Sequence, residues 1–128
     1  MTQQDFRSDL AKAKNLGSAG HGSGHWLAQR ITAVVLIPLI VWIIYSIISM
    51  LGADYEQFTA WLSQPINAVL MILFVIASFY HAVLGSQVII EDYISNEGFR
   101  VSKIIAQKLF FTAAGIACVF SILKIALA

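Results

Sequence analysis

A histidine lies within the longest uncharged stretch of this sequence. His81 belongs to the run Gln57–Ile90, 34 residues without Asp, Glu, Lys or Arg. The next acid, Glu91, is ten positions further on, which is about 15 Å along a helix. A neutral imidazole deep in a membrane can bind haem iron axially, relay protons or hydrogen-bond to another helix. Position alone does not decide among these three kinds of chemistry.

Small residues flank this histidine if the segment is helical. At 3.6 residues per turn, one face carries Ala77, Ser78, His81, Gly85, Val88 and Asp92. Such a face allows a flat group such as a porphyrin to approach closely, and it equally allows a second helix to pack closely. A haem with two axial ligands would need its second ligand from another chain.

An acid and a tyrosine close the same segment. Tyr93 is 12 residues past His81, about 18 Å further along a continuous helix and about a third of a circle away around it. The phenol then lies at a membrane interface, where aromatic belts are common. Either Tyr93 belongs to such a belt beside a solvated Asp92, or its hydroxyl donates a hydrogen bond to a membrane-borne ligand, with Asp92 positioning the phenol or holding an arginine.

Arg30 and His25 precede the first apolar run, at the depth that we expect for Tyr93. An arginine at such a place is commonly a topology anchor. Its guanidinium can also pair with a carboxylate through two parallel hydrogen bonds, and haem propionates are carboxylates. His25 is more weakly placed, and the sequence gives it no specific role.

Membrane-spanning helices must position these residues. Of the 128 residues, 59% are hydrophobic and 12% are charged, whereas soluble domains carry about 25% charged residues. A helix needs about 20 apolar residues to cross the hydrocarbon core, and it satisfies its own backbone polar groups there. The sequence predicts an all-α protein with three transmembrane helices, over residues 29–51, 66–90 and 103–126. A polar N-terminal segment, residues 1–24, precedes the membrane domain, residues 25–128.

The charges outside the spans predict the orientation of the chain. Basic residues cluster before the first span and between the second and the third: Arg7, Lys12, Lys14, Arg30, Arg100, Lys103 and Lys108. The first loop contains Asp54 and Glu56 but neither Lys nor Arg. Because basic loops stay on the cytoplasmic side, we expect a cytoplasmic N-terminus and a periplasmic C-terminus. FTAWL in the first loop suggests a short interfacial helix, and Pro65 suits the first turn of the second span.

The sequence also excludes several classes of function. A net charge of +1 argues against nucleic-acid binding through bulk electrostatics. The single cysteine, Cys118, can form neither an intramolecular disulfide nor a metal cluster. The N-terminus carries Asp5 and Asp9, unlike a signal peptide or a mitochondrial presequence, which favours a bacterial inner membrane. The Gly/Ser-rich stretch GSAGHGSGH predicts a flexible linker before the first span.

Two segments together resemble a known family. HWLAQRITAVVLIPL followed by YHAVLGSQVIIEDYI is similar to the smaller hydrophobic membrane anchor subunit of succinate dehydrogenase, in its proteobacterial form. In its second span that family has a histidine, a glycine four residues later and a terminal Asp-Tyr pair, which His81, Gly85, Asp92 and Tyr93 match. In its first span the family has an arginine followed by small residues and an aliphatic run, which the sequence matches from Arg30 onward.

The resemblance covers about residues 24–126 and implies cofactors and partners. His81 would be one of two axial ligands of a haem b, the other being a histidine of the larger anchor subunit. Tyr93 would hydrogen-bond to ubiquinone with Asp92 in support, and Arg30 would lie near the haem propionates and the quinone. The iron–sulfur subunit and the flavoprotein subunit, which oxidise succinate, would dock on the cytoplasmic face. The chain itself would be a non-catalytic anchor that contributes to the quinone-reduction site.

Three other functions compete with this interpretation. The same histidine would serve in the anchor of a fumarate reductase, because potentials and quinone type set the direction of electron flow. A small transporter or proton channel usually needs a carboxylate at mid-membrane, and all seven acids lie outside the predicted spans. In a purely structural scaffold without haem, His81 would only pack against a neighbouring helix.

Overall fold

The described part of the chain is helical. The computed structural model describes residues 17–128, with side chains from residue 22 onward. Its helices are α1, Gly17–Ser49; α2, Tyr55–Leu62; α3, Pro65–Tyr93; and α4, Glu97–Ala126. The segments long and apolar enough to cross a membrane are Gly22–Ser49, Pro65–Tyr93 and Glu97–Ala126. The prediction of an all-α protein with three candidate transmembrane helices is confirmed.

α1 begins earlier than hydropathy predicts. It begins at Gly17 and includes the Gly/Ser-rich stretch, so the prediction of a linker is wrong for these residues. Glycine in a helix costs about 1 kcal/mol relative to alanine, but extending an existing long helix adds one hydrogen bond per residue without a new nucleus. α1 also continues through Pro38. The basic residues Arg7, Lys12 and Lys14, which contribute to the orientation prediction, lie outside the described residues.

α2 is a short helix between α1 and α3. Its N-terminus is capped by Asp54, whose carboxylate accepts a hydrogen bond from the Gln57 N–H at 2.8 Å, while the Gln57 side chain accepts one from the Asp54 N–H at 3.1 Å. Trp61 of α2 stacks on Trp42 of α1 with ring centroids 5.8 Å apart. Pro65 opens the first turn of α3. The predictions of a short helix around FTAWL and of Pro65 at a helix start are confirmed.

Residues 94–96 join α3 directly to α4. The Asn96 side chain accepts a hydrogen bond from the Phe99 N–H at 3.0 Å and so caps α4. α4 therefore begins at Glu97, six residues before the predicted span, and its first turns include Arg100 and Lys103.

α3 is the central helix of the described chain. It packs against α1 on one side and against α4 on the other, whereas no Cα atom of α1 lies within 8 Å of a Cα atom of α4 in residues 17–128. Thr32 of α1 meets His81 of α3, and the earlier Gln29 meets the later Gly85, so α1 and α3 are antiparallel. The three long helices form an open layer with α3 in the middle.

Few side chains are buried by the chain itself. The buried apolar residues are Leu36, Leu39, Leu62, Ala68, Leu84 and Ile122. On α1, Val34, Ile37 and Val41 are each about two-thirds exposed, at 66%, 64% and 65%. Continuous apolar surface of this extent is typical of contact with lipid or with other subunits. The fold therefore places the polar side chains of the α1–α3 interface inside an otherwise apolar protein.

Candidate functional site

His81 lies at the interface between α1 and α3. It is the seventeenth of the 29 residues of α3, close to the middle of the helix, and its side chain is half-buried. Its Nδ1 atom is 2.8 Å from Oγ1 of Thr32 on α1, and Thr32 is only 9% exposed. One ring nitrogen of the imidazole is thus held by the neighbouring helix.

The other ring nitrogen of His81 is not used by the chain. Within residues 22–128 no hydrogen bond reaches Nε2, and Nε2 is not among the polar atoms that are sealed inside without a partner. The same residues contain no group of three or more His, Cys, Asp or Glu side chains that could hold a metal ion. A metal bound to His81 would therefore take its other ligands from a cofactor or from another chain.

Gly85 lies one turn after His81 and faces Gln29 of α1. A Cβ atom at Gly85 would stand 3.4 Å from Nε2 of Gln29, so the glutamine side chain covers this position. At Gly85, the small-residue face that we predicted therefore serves helix packing. The Gln29–Gly85 and Thr32–His81 contacts together set the register of α1 against α3.

Two buried polar atoms on the same face of α1 lack a partner. His25 Nε2 and Gln29 Oε1 have no hydrogen bond in the part of the chain that the structure describes. His25, Gln29 and Thr32 are spaced by four and three residues, so they share one face of α1. An unpaired buried polar group costs about 1–3 kcal/mol. Both atoms are sealed from solvent, so a polar group from a cofactor or a second subunit would reach them only after a side chain moves.

Arg30 does not lie at the depth of Tyr93, and our expectation that it would was wrong. Because Thr32 is level with His81, Arg30 lies about 3 Å from the level of His81 and about 15 Å from that of Tyr93. The reason is that α1 extends roughly three and a half turns before Arg30. The guanidinium carbon of Arg30 lies 5.3 Å from the centroid of the Trp26 ring. Arg30 is turned roughly 160° around α1 from Thr32.

Tyr93 is the last residue of α3 and is 85% exposed. Asp92 beside it is also exposed. The preceding acid, Glu91, accepts a hydrogen bond from the Gln87 amide at 2.8 Å and so is used within the helix. The end of α3 offers a phenol and a carboxylate, and a pocket around them would need walls from other chains.

An apolar groove runs along the α4 side of α3. Its volume is about 750 Å³, and Phe79 and Phe111 are among the residues that line it. None of the four residues predicted to bind a cofactor or a quinone lines this groove. The candidate site is therefore the α1 side of α3 together with the C-terminal end of α3.

The comparisons with known proteins identify the family of the chain. The chain matches the family described as the succinate dehydrogenase/fumarate reductase transmembrane subunit over residues 4–123. The chain belongs to this family. The resemblance that we inferred from the sequence is confirmed.

Curated relatives of this family member are named as anchor subunits. The succinate dehydrogenase hydrophobic membrane anchor subunit of Rickettsia bellii (strain RML369-C) is 48% identical over 106 residues, 83% of this chain and 85% of that protein. The protein of the same name from Paracoccus denitrificans is 31% identical over 115 residues, 90% of this chain and 88% of that protein. No solved structure matches the chain. The chain is thus a multi-pass membrane protein of the succinate dehydrogenase anchor family.

We did not predict the contacts of Thr32 and Gln29 with α3 from the sequence of this anchor-family chain. Together with His25 these two residues form a polar stripe on a mostly apolar helix, and polar residues in membrane spans commonly mark helix–helix interfaces. This polar stripe could have been recognised in the sequence as a helix–helix interface. The stripe does not show which residue of α3 lies opposite each of its members, because the register of α1 against α3 depends on the loop and on α2.

Proposed function

We propose that this chain is a membrane-anchor subunit of a succinate:ubiquinone oxidoreductase, that His81 is one axial ligand of a haem b, and that Tyr93 hydrogen-bonds to ubiquinone. The observation that carries the proposal is the position of the His81 imidazole together with the different partners of its two ring nitrogens. Its imidazole lies near the middle of a membrane helix, Thr32 holds Nδ1, and no group within residues 22–128 is hydrogen-bonded to Nε2. The names of the relatives support the assignment to succinate dehydrogenase.

The α1 side of α3 suits the edge of a haem. A haem iron between two histidines carries one electron at a time, at a potential set by its ligands and surroundings. His81 supplies one imidazole, and the larger anchor subunit supplies the second. The unpaired atoms His25 Nε2 and Gln29 Oε1 lie on the same side of α1 as Thr32. Arg30 is close in depth to His81 but is turned roughly 160° around α1 from Thr32, so pairing with a propionate would require its side chain to leave Trp26 and reach around the helix.

Tyr93 and Asp92 form this chain's part of the quinone site. The phenol donates a hydrogen bond to a quinone carbonyl, and the Asp92 carboxylate orients the phenol or holds a basic side chain of another subunit. Because Tyr93 is 85% exposed, the remaining walls come from partner subunits, which fits docking of the iron–sulfur subunit at this end. The depth of Arg30 favours the propionates over the quinone as its partner.

The orientation follows from the positive residues at this same end of the layer. Arg100 and Lys103 lie in the first turns of α4, which begins shortly after α3 ends at Tyr93, and short basic segments stay in the cytoplasm. We therefore assign the N-terminus, with the polar segment 1–24, to the cytoplasm and the C-terminus to the periplasm of a bacterial inner membrane. The iron–sulfur and flavoprotein subunits then bind on the cytoplasmic side.

A fumarate reductase anchor is the second candidate, because the family description covers both enzymes. The two functions use the same anchor chemistry and differ in the direction of electron flow. The relatives are named for succinate dehydrogenase, so we assign that direction. Comparing succinate oxidation with fumarate reduction in the purified complex tests the assignment.

Substitution of His81 tests the haem proposal. His81→Ala removes the ligand, so the complex purified through a tag on this chain should lose its low-spin b-type spectrum or show it weakened. Leu84→Ala is the control, because Leu84 is a buried residue of the same helix, 6% exposed, whose loss leaves the imidazole in place. The control should keep the reduced α-band. A wild-type complex without an α-band would refute the haem assignment, and an unchanged spectrum in His81→Ala would place the ligand elsewhere.

A further inference from the structure

Thr32 connects His81 to the backbone of α1. Its Oγ1 atom lies 2.8 Å from His81 Nδ1, 2.8 Å from the Ala28 carbonyl oxygen and 3.0 Å from the Gln29 carbonyl oxygen. We propose that Thr32 is a positioning residue: it accepts a hydrogen bond from the Nδ1–H of His81, places the imidazole lone pair on Nε2, and strengthens the imidazole as a ligand. This inference rests on the proposed function, in which Nε2 binds haem iron.

The direction of the hydrogen bond between Thr32 Oγ1 and His81 Nδ1 follows from the number of protons available around Oγ1. The hydroxyl has one proton to donate and two lone pairs that accept, while the two backbone carbonyls can only accept. If the hydroxyl donates to one carbonyl, or shares its proton between the two, a lone pair is free to accept the Nδ1–H of His81, and at most one carbonyl oxygen is left facing a lone pair. If it donated to Nδ1 instead, its lone pairs would face the carbonyl oxygens of Ala28 and Gln29 at 2.8 and 3.0 Å. The first arrangement is therefore the stable one.

This arrangement selects one tautomer of His81. A neutral imidazole carries its proton on one nitrogen and its lone pair on the other. With the proton on Nδ1, the lone pair is on Nε2, the nitrogen that has no hydrogen bond within residues 22–128. Histidines that bind metals generally donate their other N–H to an acceptor, which orients the ring and raises its basicity. Thr32 supplies that acceptor from a different helix.

The buried surroundings of Thr32 make its uncharged hydroxyl oxygen a strong hydrogen-bond acceptor. Thr32 is 9% exposed, and hydrogen bonds are electrostatically stronger away from water. A hydroxyl that donates to a carbonyl is polarised and becomes a better acceptor, so the chain from His81 through Thr32 to Ala28 is cooperative. The added electron density on Nε2 favours ferric over ferrous iron. Thr32 should therefore lower the reduction potential of the haem.

Three substitutions at Thr32 and one on the same helix test the inference in the assembled complex. Thr32→Val keeps the shape of the side chain but removes the oxygen, Thr32→Ala removes it without any risk of overpacking, and Thr32→Ser keeps the hydroxyl. Ser46→Ala is the matched control. Ser46 is 5% exposed and donates the same kind of bond to the Trp42 carbonyl at 2.8 Å, but it contacts no histidine.

The readouts are the midpoint potential of the haem and the g-values of its oxidised form, which report the orientation of the imidazole. Losing an outer hydrogen bond of a metal ligand commonly costs about tenfold or more in affinity. A tenfold loss in the preference for ferric iron is 59 mV for one electron. We expect Thr32→Val and Thr32→Ala to raise the potential by up to about that amount, and Thr32→Ser and Ser46→Ala to match the wild type.

Each outcome decides for or against the role of Thr32. Loss of haem from both Thr32→Val and Thr32→Ala, with haem retained in Thr32→Ser, would also support it, because the hydroxyl would then be needed to hold the ring. If only Thr32→Val fails to assemble, the potential of Thr32→Ala decides. Haem retained in Thr32→Ala at an unchanged potential would overturn the inference and leave the proposed function standing. A wild-type complex without haem would overturn both.

Discussion

The packing of α1 against α3 can be tested at Gly85. A Cβ atom there would be 3.4 Å from Gln29 Nε2, which is an ordinary contact with the flexible end of a side chain. Gly85→Ala should therefore fit, and alanine is favoured over glycine in a helix by about 0.5–1 kcal/mol. We expect Gly85→Ala to be neutral or to stabilise the protein by up to about 1 kcal/mol.

Gly85→Leu should destabilise the same interface. The leucine adds three more carbons to a space that Gln29 already fills, and overpacking costs about 1–3 kcal/mol. The helix preference of leucine offsets less than 1 kcal/mol of this cost, which leaves a net loss of up to about 2 kcal/mol. Long side chains in a helix lean toward its N-terminus, so the leucine approaches His81 and disturbs its 2.8 Å contact with Thr32.

The assay is the temperature at which half of the purified complex has dissociated, followed by size-exclusion chromatography after heating. Gly24→Leu is the control, because a Cβ at Gly24 meets nothing within 4 Å. The midpoint should be lowest for Gly85→Leu and close to the wild type for Gly24→Leu and Gly85→Ala. Equal midpoints for Gly85→Leu and Gly24→Leu would refute the described contact between Gln29 and Gly85.

Two further predictions concern the quinone and the orientation. Tyr93→Phe keeps the ring and removes a hydrogen bond worth about 0.5–1.5 kcal/mol, so ubiquinone reduction should fall about 2–13-fold while succinate oxidation with a soluble acceptor and haem content stay unchanged. Equal loss of both activities would mean that assembly is damaged instead. In a Cys118→Ala background, cysteines at Ser18 and Ser95 should react with an impermeant maleimide only from the cytoplasmic side, and one at Ala53 only from outside. The opposite labelling would contradict the proposed orientation.

The spans and some helix ends were predictable because their causes are local. Long uncharged runs determine the three candidate transmembrane helices, and Pro65 marks the start of α3 by its missing N–H. Asn96 was a usable signal for the start of α4, because a capping side chain followed by Glu97 is typical of a helix N-terminus. The start of α1 at Gly17 was not predictable in this way. Four glycines among residues 17–24 argue locally against a helix, and the long helix that follows overrides them.

The candidate site was predictable in its residues but not in its contacts. The sequence singles out His81 because an imidazole amid apolar residues is costly unless it is used. It does not reveal that Thr32 is the residue opposite, because that depends on the register of two helices separated by a loop and by α2. The same missing information led to the error about Arg30. The depth of Arg30 in the membrane is determined by the Thr32–His81 contact and not by the distance of Arg30 from the first apolar residue.

The two hydrogen bonds from Thr32 toward its own helix matter during synthesis of the chain. Thr32 and His81 are 49 residues apart in the sequence, so at about 5–20 residues per second Thr32 is synthesised roughly 2–10 s before His81. Until α3 packs against α1, the Thr32 hydroxyl has no partner from α3, yet its proton is already bound by the Ala28 or Gln29 carbonyl. α1 can therefore leave the insertion machinery without exposing an unsatisfied donor to the hydrocarbon, and the lone pair of Thr32 stays available until His81 arrives.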